Sequence, residues 1–495
     1  MQWRADPLAD DTIAKILGSW PTVISAHGTD AATTLAAYAV KWQRIREANK
    51  LIATWVDNAS LVHWNAGIGA SPEVALPLAD YIAAARVLPE WANAAHISRA
   101  ETIFIEHGVL SCLLLFCASL PECYVVPDLS DVLHAAGQLE NHTQHRIRST
   151  AAMIFPVMMR GGLTSPEGAG VAQVLKVRLI HAMIRNLILH GEPVSVVNTL
   201  ATNFDSANDF TGVIAPLLRG DAPTRSDLFQ TLFAHGWHLR RDALPCNQEE
   251  LGYTLLTFNY IFLRGLRTLR LALTPEDEAA YLHTWNVMAH MLGVEHSLMP
   301  ATMTEAEKLF CEMQARGRAD SAKRPTADDP RPKLGQALMK CMEDVIPFAV
   351  FKGFPTLLTT RLCGREVAKD IGILSRSTVT IPSRILFTLI MFIVGFIDGV
   401  MRLLMPQFSL SRMLSRAMGY HLICKLMLDQ TRPLKLPRHL ENQMNGLISG
   451  WSNDPKAAAW VNTIEDWFTT RGDWYAMGVL SQRKVSPTKP NGEKT

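Results

Sequence analysis

Almost nowhere along this chain do apolar and polar residues alternate over the length of a strand between hairpin turns, and this argues against all-β and doubly wound architectures. Helix signals recur instead. Asp6-Pro7 reads as an N-cap with proline at the first helical position, and Gly18 closes that helix. Asn247-Gln248-Glu249-Glu250 and Thr274-Pro275-Glu276-Asp277 read as capping boxes that open two further periodic segments, the second ending at Gly293. The expected fold is all-α, globin-like or a related large helical domain.

With 495 residues, 48% of them hydrophobic, the chain can bury a large core and divide into more than one packing unit. A net charge of +2, with no long basic run interleaved with aromatics, argues against nucleic acid as a partner. The first residues are polar and lead straight into a helix start, so no signal peptide is expected and the cytoplasm is the expected location. The eight cysteines, among them Cys112, Cys117, Cys341 and Cys424, lack any CxxC and sit in apolar surroundings, as reduced core residues do.

The expected organisation is a main helical domain over 1–316, a charged, proline-rich connection over 317–333, a C-terminal helical region over 334–481 and a polar, disordered tail over 482–495. The most apolar stretch, Ile385 to Ile397, is interrupted by Asp398 and falls short of the ~20 residues a spanning helix needs. It reads as a buried or membrane-surface helix, with membrane association through 385–405 as an expectation. A span with Asp398 inside the bilayer is the costlier alternative.

One helix carries the candidate chemistry. Over Val171 to His190, Arg178, His181 and Arg185 fall within a sector of roughly 60° in otherwise apolar surroundings. Facing a cavity, such a stripe offers one imidazole as an iron ligand and two guanidinium groups for propionate carboxylates. Facing water, it is the polar side of an ordinary amphipathic helix. Upstream, Arg146 and Thr150 lie one turn apart, before the apolar run Ala151 to Phe155 that Pro156 is expected to stop or bend. They belong either across the cavity from His181 or to an ordinary polar first turn.

Taken together, Arg146-x-x-x-Thr150 and Val177-Arg178-Leu179-Ile180-His181-Ala182-Met183-Ile184-Arg185 resemble the core of the rubber oxygenase (latex-clearing protein) and MpaB-type oxygenase family. Further pieces follow the family's order: Leu88-Pro89-Glu90-Trp91, Ser119-Leu120-Pro121 with Tyr124, Val132-Leu133 with Gly137, Pro245-Cys246-Asn247-Gln248 with Thr254, and Tyr281-x-His283-x-Trp285 leading to Leu292-Gly293-Val294 and Pro300. The resemblance is strong from Asp6 to Pro300 and weak after Lys333. It implies a helical fold around one b-type haem, with His181 as proximal iron ligand and Arg178 and Arg185 supporting the haem or its surroundings. It further implies Arg146, Ser149 and Thr150 on the distal, catalytic side, with dioxygen and a hydrophobic small molecule or polymer as substrates. Rubber-cleaving members carry a lysine just before the threonine. Here that residue is Ser149, whose hydroxyl does not replace an amine, and a substrate other than rubber is expected.

Three functions follow: a haem b-dependent oxygenase of an apolar, isoprenoid or alkene substrate; a non-catalytic haem carrier or sensor; and a membrane-surface scaffold without haem. His283, His290 and His296 lie along one helical region, but no HExxH accompanies them, and they are read as surface or core histidines.

Overall fold

The structure, a computed structural model, describes residues 1–20, 29–126, 143–190, 243–271, 273–321, 329–346, 348–374 and 376–404. All regular structure among the described residues is helical. The helices are α1 (Pro7–Leu17), α2 (Thr29–Ile52), α3 (Asn58–Val62), α4 (Pro72–Ala85), α5 (Ala94–Glu106), α6 (Gly108–Leu114) and α7 (Leu120–Cys123). There follow α8 (Thr143–Met158), α9 (Gly170–His190), α10 (Gln248–Phe258), α11 (Tyr260–Thr268) and α12 (Pro275–Met291). The last are α13 (Met303–Ser321), α14 (Arg331–Val345), α15 (Phe354–Cys363), α16 (Arg365–Asp370) and α17 (Ile381–Leu404).

The caps predicted from sequence set these boundaries. Asp6 accepts a hydrogen bond from the Ala9 amide and Pro7 opens α1, which ends before Gly18 at φ +67°. Asn247 accepts from the Glu250 amide and Thr274 from that of Asp277, each satisfying a helix-end donor that would otherwise lack a partner. Pro156, by contrast, does not stop α8, which continues through it to Met158. In the last turn of a helix a proline forfeits one amide bond and leaves little helix beyond it to disrupt.

Helix α9 sits centrally, with α8 along one side, α1 along another and α12 and α3 also against it. Helix α5 packs along α12. Aromatic rings fill the space: Phe262 stacks on Tyr281 at 4.7 Å, Phe258 on Trp285 at 5.8 Å, and Phe104 meets Phe155 edge-on at 5.6 Å. Between α6 and α7, residues Leu115–Ser119 form a short π-helical turn. Pro121 there has no amide to offer the Cys117 carbonyl, and the Cys363 thiol on α15 donates to the Cys117 and Ala118 carbonyls at 3.6 Å.

The sequence between α13 and α14 suggests a domain connection, yet α13 runs unbroken past residue 316. Leu334, Leu338 and Met339 of α14 and Leu362, Val367 and Ile371 beyond it belong to the same apolar core as α1 and α9. Arg331 donates to the Val125 carbonyl at 3.3 Å while pairing with Asp329. The described part of the C-terminal region is thus built into the main body. Residues 405–481 and the predicted tail at 482–495 lie outside the described residues, as do Cys424 and the family pieces around Val132 and Gly137. Cys112, Cys117, Cys311 and Cys363 are free thiols.

Candidate functional site

Helix α9 is anchored at its N-terminus by a residue from elsewhere in the chain. Asn58 Oδ1 accepts from the Val171 and Ala172 amides at 3.1 and 3.4 Å, serving as a remote cap. Its Nδ2 donates to the carbonyls of Gly162 and Ser165 at 2.9 and 2.8 Å, so one side chain ties α9 to the turn that precedes it. That turn is too tight for side chains: a Cβ on Gly162 would lie 2.1 Å from the Pro156 carbonyl oxygen, and one on Gly168 would lie 2.2 Å from that of Gly161. Below it, buried Glu101 accepts from the Gly161 amide at 3.0 Å, and burial pushes its carboxyl up to about 7. Midway along α9, the buried Tyr81 hydroxyl donates to the Leu175 carbonyl at 3.0 Å.

The Arg178, His181 and Arg185 stripe faces α1, and both arginines find carboxylates there. Arg178 grips Asp6 through Nε and Nη2 at 2.5 and 2.7 Å and donates to the Met291 carbonyl at the end of α12. Arg185 grips Asp10 through Nε and Nη2 at 2.9 and 2.7 Å and donates to the Cys246 carbonyl at 2.5 Å. Burial raises the Asp10 carboxyl above its usual range, and Arg185 opposes that shift. Gln248 completes the seam: its Nε2 donates to the carbonyls of Ala5 and Gly293, and its Oε1 accepts from the Glu295 amide. The pieces around Arg178, Arg185, Pro245-Cys246-Asn247-Gln248 and Leu292-Gly293, scattered in sequence, therefore meet at one polar seam around the His181 helix.

His181 lies between the two arginine clamps, half-buried, with Nδ1 closed off from solvent. The accessible part of the residue lies away from Nδ1. A half-buried imidazole on a central helix is a donor of the kind a haem iron takes. The arginines fit a different role from the propionate donors their charge suggests, because their guanidinium groups are committed to Asp6 and Asp10. Thr150 is half-buried on α8, which packs along α9; the side chains of Arg146 and Ser149 lie outside the described residues.

Sequence reading missed Asn58, Asp6 and Asp10 as partners of this helix, and Gln248 as the tie among Ala5, Gly293 and Glu295. Gly293 carried a usable signal, standing as it does just past a helix end. Its φ is +84°, and a Cβ there would fall 2.4 Å from Asp6 Oδ2 and 2.7 Å from Arg178 Nε. His283, His290 and His296 present their rings edge-on to Trp91 at 5.6 to 6.3 Å, and burial lowers the pKa of the first two. No group of three or more His, Cys, Asp or Glu among the described residues could hold a metal ion.

The family described as ER-bound oxygenase mpaB/B'/Rubber oxygenase, catalytic domain, matches residues 112–396, more than half of the chain. The chain belongs to this family. A curated member, the rubber oxygenase of Streptomyces sp. (strain K30), is 24% identical over 310 residues, which are 60% of this chain and 63% of that one. The chain thus spans less than two thirds of that relative's length. A solved structure of latex clearing protein in the closed state matches with a TM-score of 0.52 at 18% identity, over 80% of this chain and 84% of that chain. The helical fold of the family is therefore the fold of this protein.

Proposed function

We propose that this protein is a haem b-dependent oxygenase that uses dioxygen on an apolar, isoprenoid or alkene substrate. The single observation carrying the reading is His181, held half-buried on α9 between two clamped arginines in a chain of the oxygenase family. A bound haem would supply dioxygen binding and oxidation of the substrate, by insertion of oxygen or cleavage of a C=C bond. His181 would ligate the iron. The Arg178–Asp6 and Arg185–Asp10 pairs act as positioning groups that fix α9, and with it the imidazole, against α1. On α8, Arg146, Ser149 and Thr150 would supply hydrogen-bond donors toward the distal side. Apolar residues of α9, including Leu179, Ala182 and Met183, exclude water from the helix interior face.

A second reading, a haem carrier or sensor without turnover, is favoured by Ser149 standing where rubber-cleaving members have lysine. A UV–visible spectrum with a pyridine haemochrome assay, run beside His181→Ala, tests the common part of both. Near-stoichiometric b-type haem lost in the variant is the expected result; full haem content in His181→Ala would overturn the ligand assignment. Alkene-dependent oxygen uptake then separates oxygenase from carrier.

A further inference from the structure

Among the described residues, helix α17 is attached to the rest of the protein along one side. Phe387 meets Phe354 of α15 edge-on at 5.3 Å, and Ser383 is fully buried beside Gly353, where a Cβ would fall 3.0 Å from the serine hydroxyl. The other side is apolar and open: Ile381 is 75% exposed, Ile385 64%, Leu389 51%, Phe392 69% and Phe396 62%. At 100° per residue these five fall within a sector of about 80°, with Val400 at its margin. Single exposed apolar residues are ordinary, whereas a continuous stripe of large ones marks an interaction surface.

From this face we infer that α17 lies in the surface of an anionic lipid bilayer, its apolar stripe set into the headgroup–acyl boundary and its axis parallel to the membrane. Two observations favour lipid over protein: the size of the stripe and the charge beside it. The stripe is about 30 Å long and about one helix face wide, so it offers roughly 300 Å², well under the ~800 Å² each partner contributes to a stable dimer.

Charge complements the anionic headgroups. Residues 346–404, through the end of α17, carry seven Lys or Arg and three Asp or Glu. Two of the acids, Glu366 and Asp370, face Arg318, at 3.5 and 3.0 Å. The exposed Arg361, Arg365, Lys369 and Arg384 therefore carry a positive surplus on α17 and the helices that bear it. The inference stands on this face alone and does not depend on the oxygenase reading.

Flotation of the full-length protein with phosphatidylcholine vesicles, with and without about 30% phosphatidylserine, tests it beside the triple variant Leu389→Glu/Phe392→Glu/Phe396→Glu. The protein is expected to float with the anionic vesicles, less so in high salt, and the triple variant to lose about tenfold or more of that partition. Hydrogen exchange on the unmutated protein gives a second measurement, in which amides over 381–400 should slow when anionic vesicles are added. Absence of both flotation and slowed exchange would overturn the proposal. A dimer by light scattering that the triple variant dissolves would assign the face to a second copy instead. A triple variant that melts well below the parent, with no vesicle-dependent exchange, would mean that the chain's own residues cover the face.

Discussion

Arg178 holds Asp6 through two parallel bonds, 2.5 and 2.7 Å long, and the same carboxylate caps α1 at its first turn. One buried carboxylate thus ends one helix and locks a second to it. Both side chains are nearly removed from water, at 10% and 4% exposure. The attraction between them offsets a large desolvation cost only while both are present.

Removing one partner should therefore cost more than removing both. Asp6→Ala or Arg178→Ala is expected to destabilise the fold by about 3–5 kcal/mol, whereas Asp6→Leu combined with Arg178→Met should lose markedly less. Urea unfolding of the four proteins measures this, and equal losses for single and double variants would refute a buried, coupled pair.

Asn58 bonds four backbone groups at the start of α9. Asn58→Ala should cost about 2–3 kcal/mol, from a lost cap and two lost hydrogen bonds to carbonyls that keep a backbone partner. Asn58→Asp keeps the acceptor for the Val171 and Ala172 amides but turns an anion toward the carbonyls of Gly162 and Ser165, and should fall between alanine and the parent. Thermal melting of the three proteins orders them.

Glu101 introduces a pH dependence. Burial raises its folded pKa to about 7 from an ordinary 4.5, so the folded state binds the proton more tightly than the unfolded chain. Its contribution to stability is full below pH 4.5 and is lost as pH rises toward about 7. Glu101→Gln removes that titration and keeps an acceptor for the Gly161 amide. Relative to the parent, it should gain stability between pH 5 and pH 8, on the order of 3 kcal/mol. Melting curves across that range give the difference, and a constant offset would show that Glu101 does not titrate there.

His181→Gly should lose haem and recover it when imidazole is supplied in solution, because the cavity left by the side chain admits the free ring. The Soret band reads this directly. Arg146→Ala and Thr150→Val should instead retain haem and lower alkene-dependent oxygen uptake roughly tenfold or more. Haem loss in these two variants would place the residues in the fold rather than on the distal side.

Local features were legible in the sequence alone. A cap is a property of three or four consecutive residues, so Asp6-Pro7, Asn247 through Glu250 and Thr274 through Asp277 located helix starts that the structure reproduces. Helical periodicity likewise placed Arg178, His181 and Arg185 on one face and outlined the apolar length of α17. What a face meets is decided by packing, and periodicity is blind to it. The same Arg/His/Arg stripe could have faced water, a propionate or another helix; tertiary structure turned both arginines onto Asp6 and Asp10, more than 170 positions away in sequence. Asn58, Gly162 and Gly293 owe their roles to the same cause, since a remote cap or a close backbone approach exists only once distant segments have been brought together.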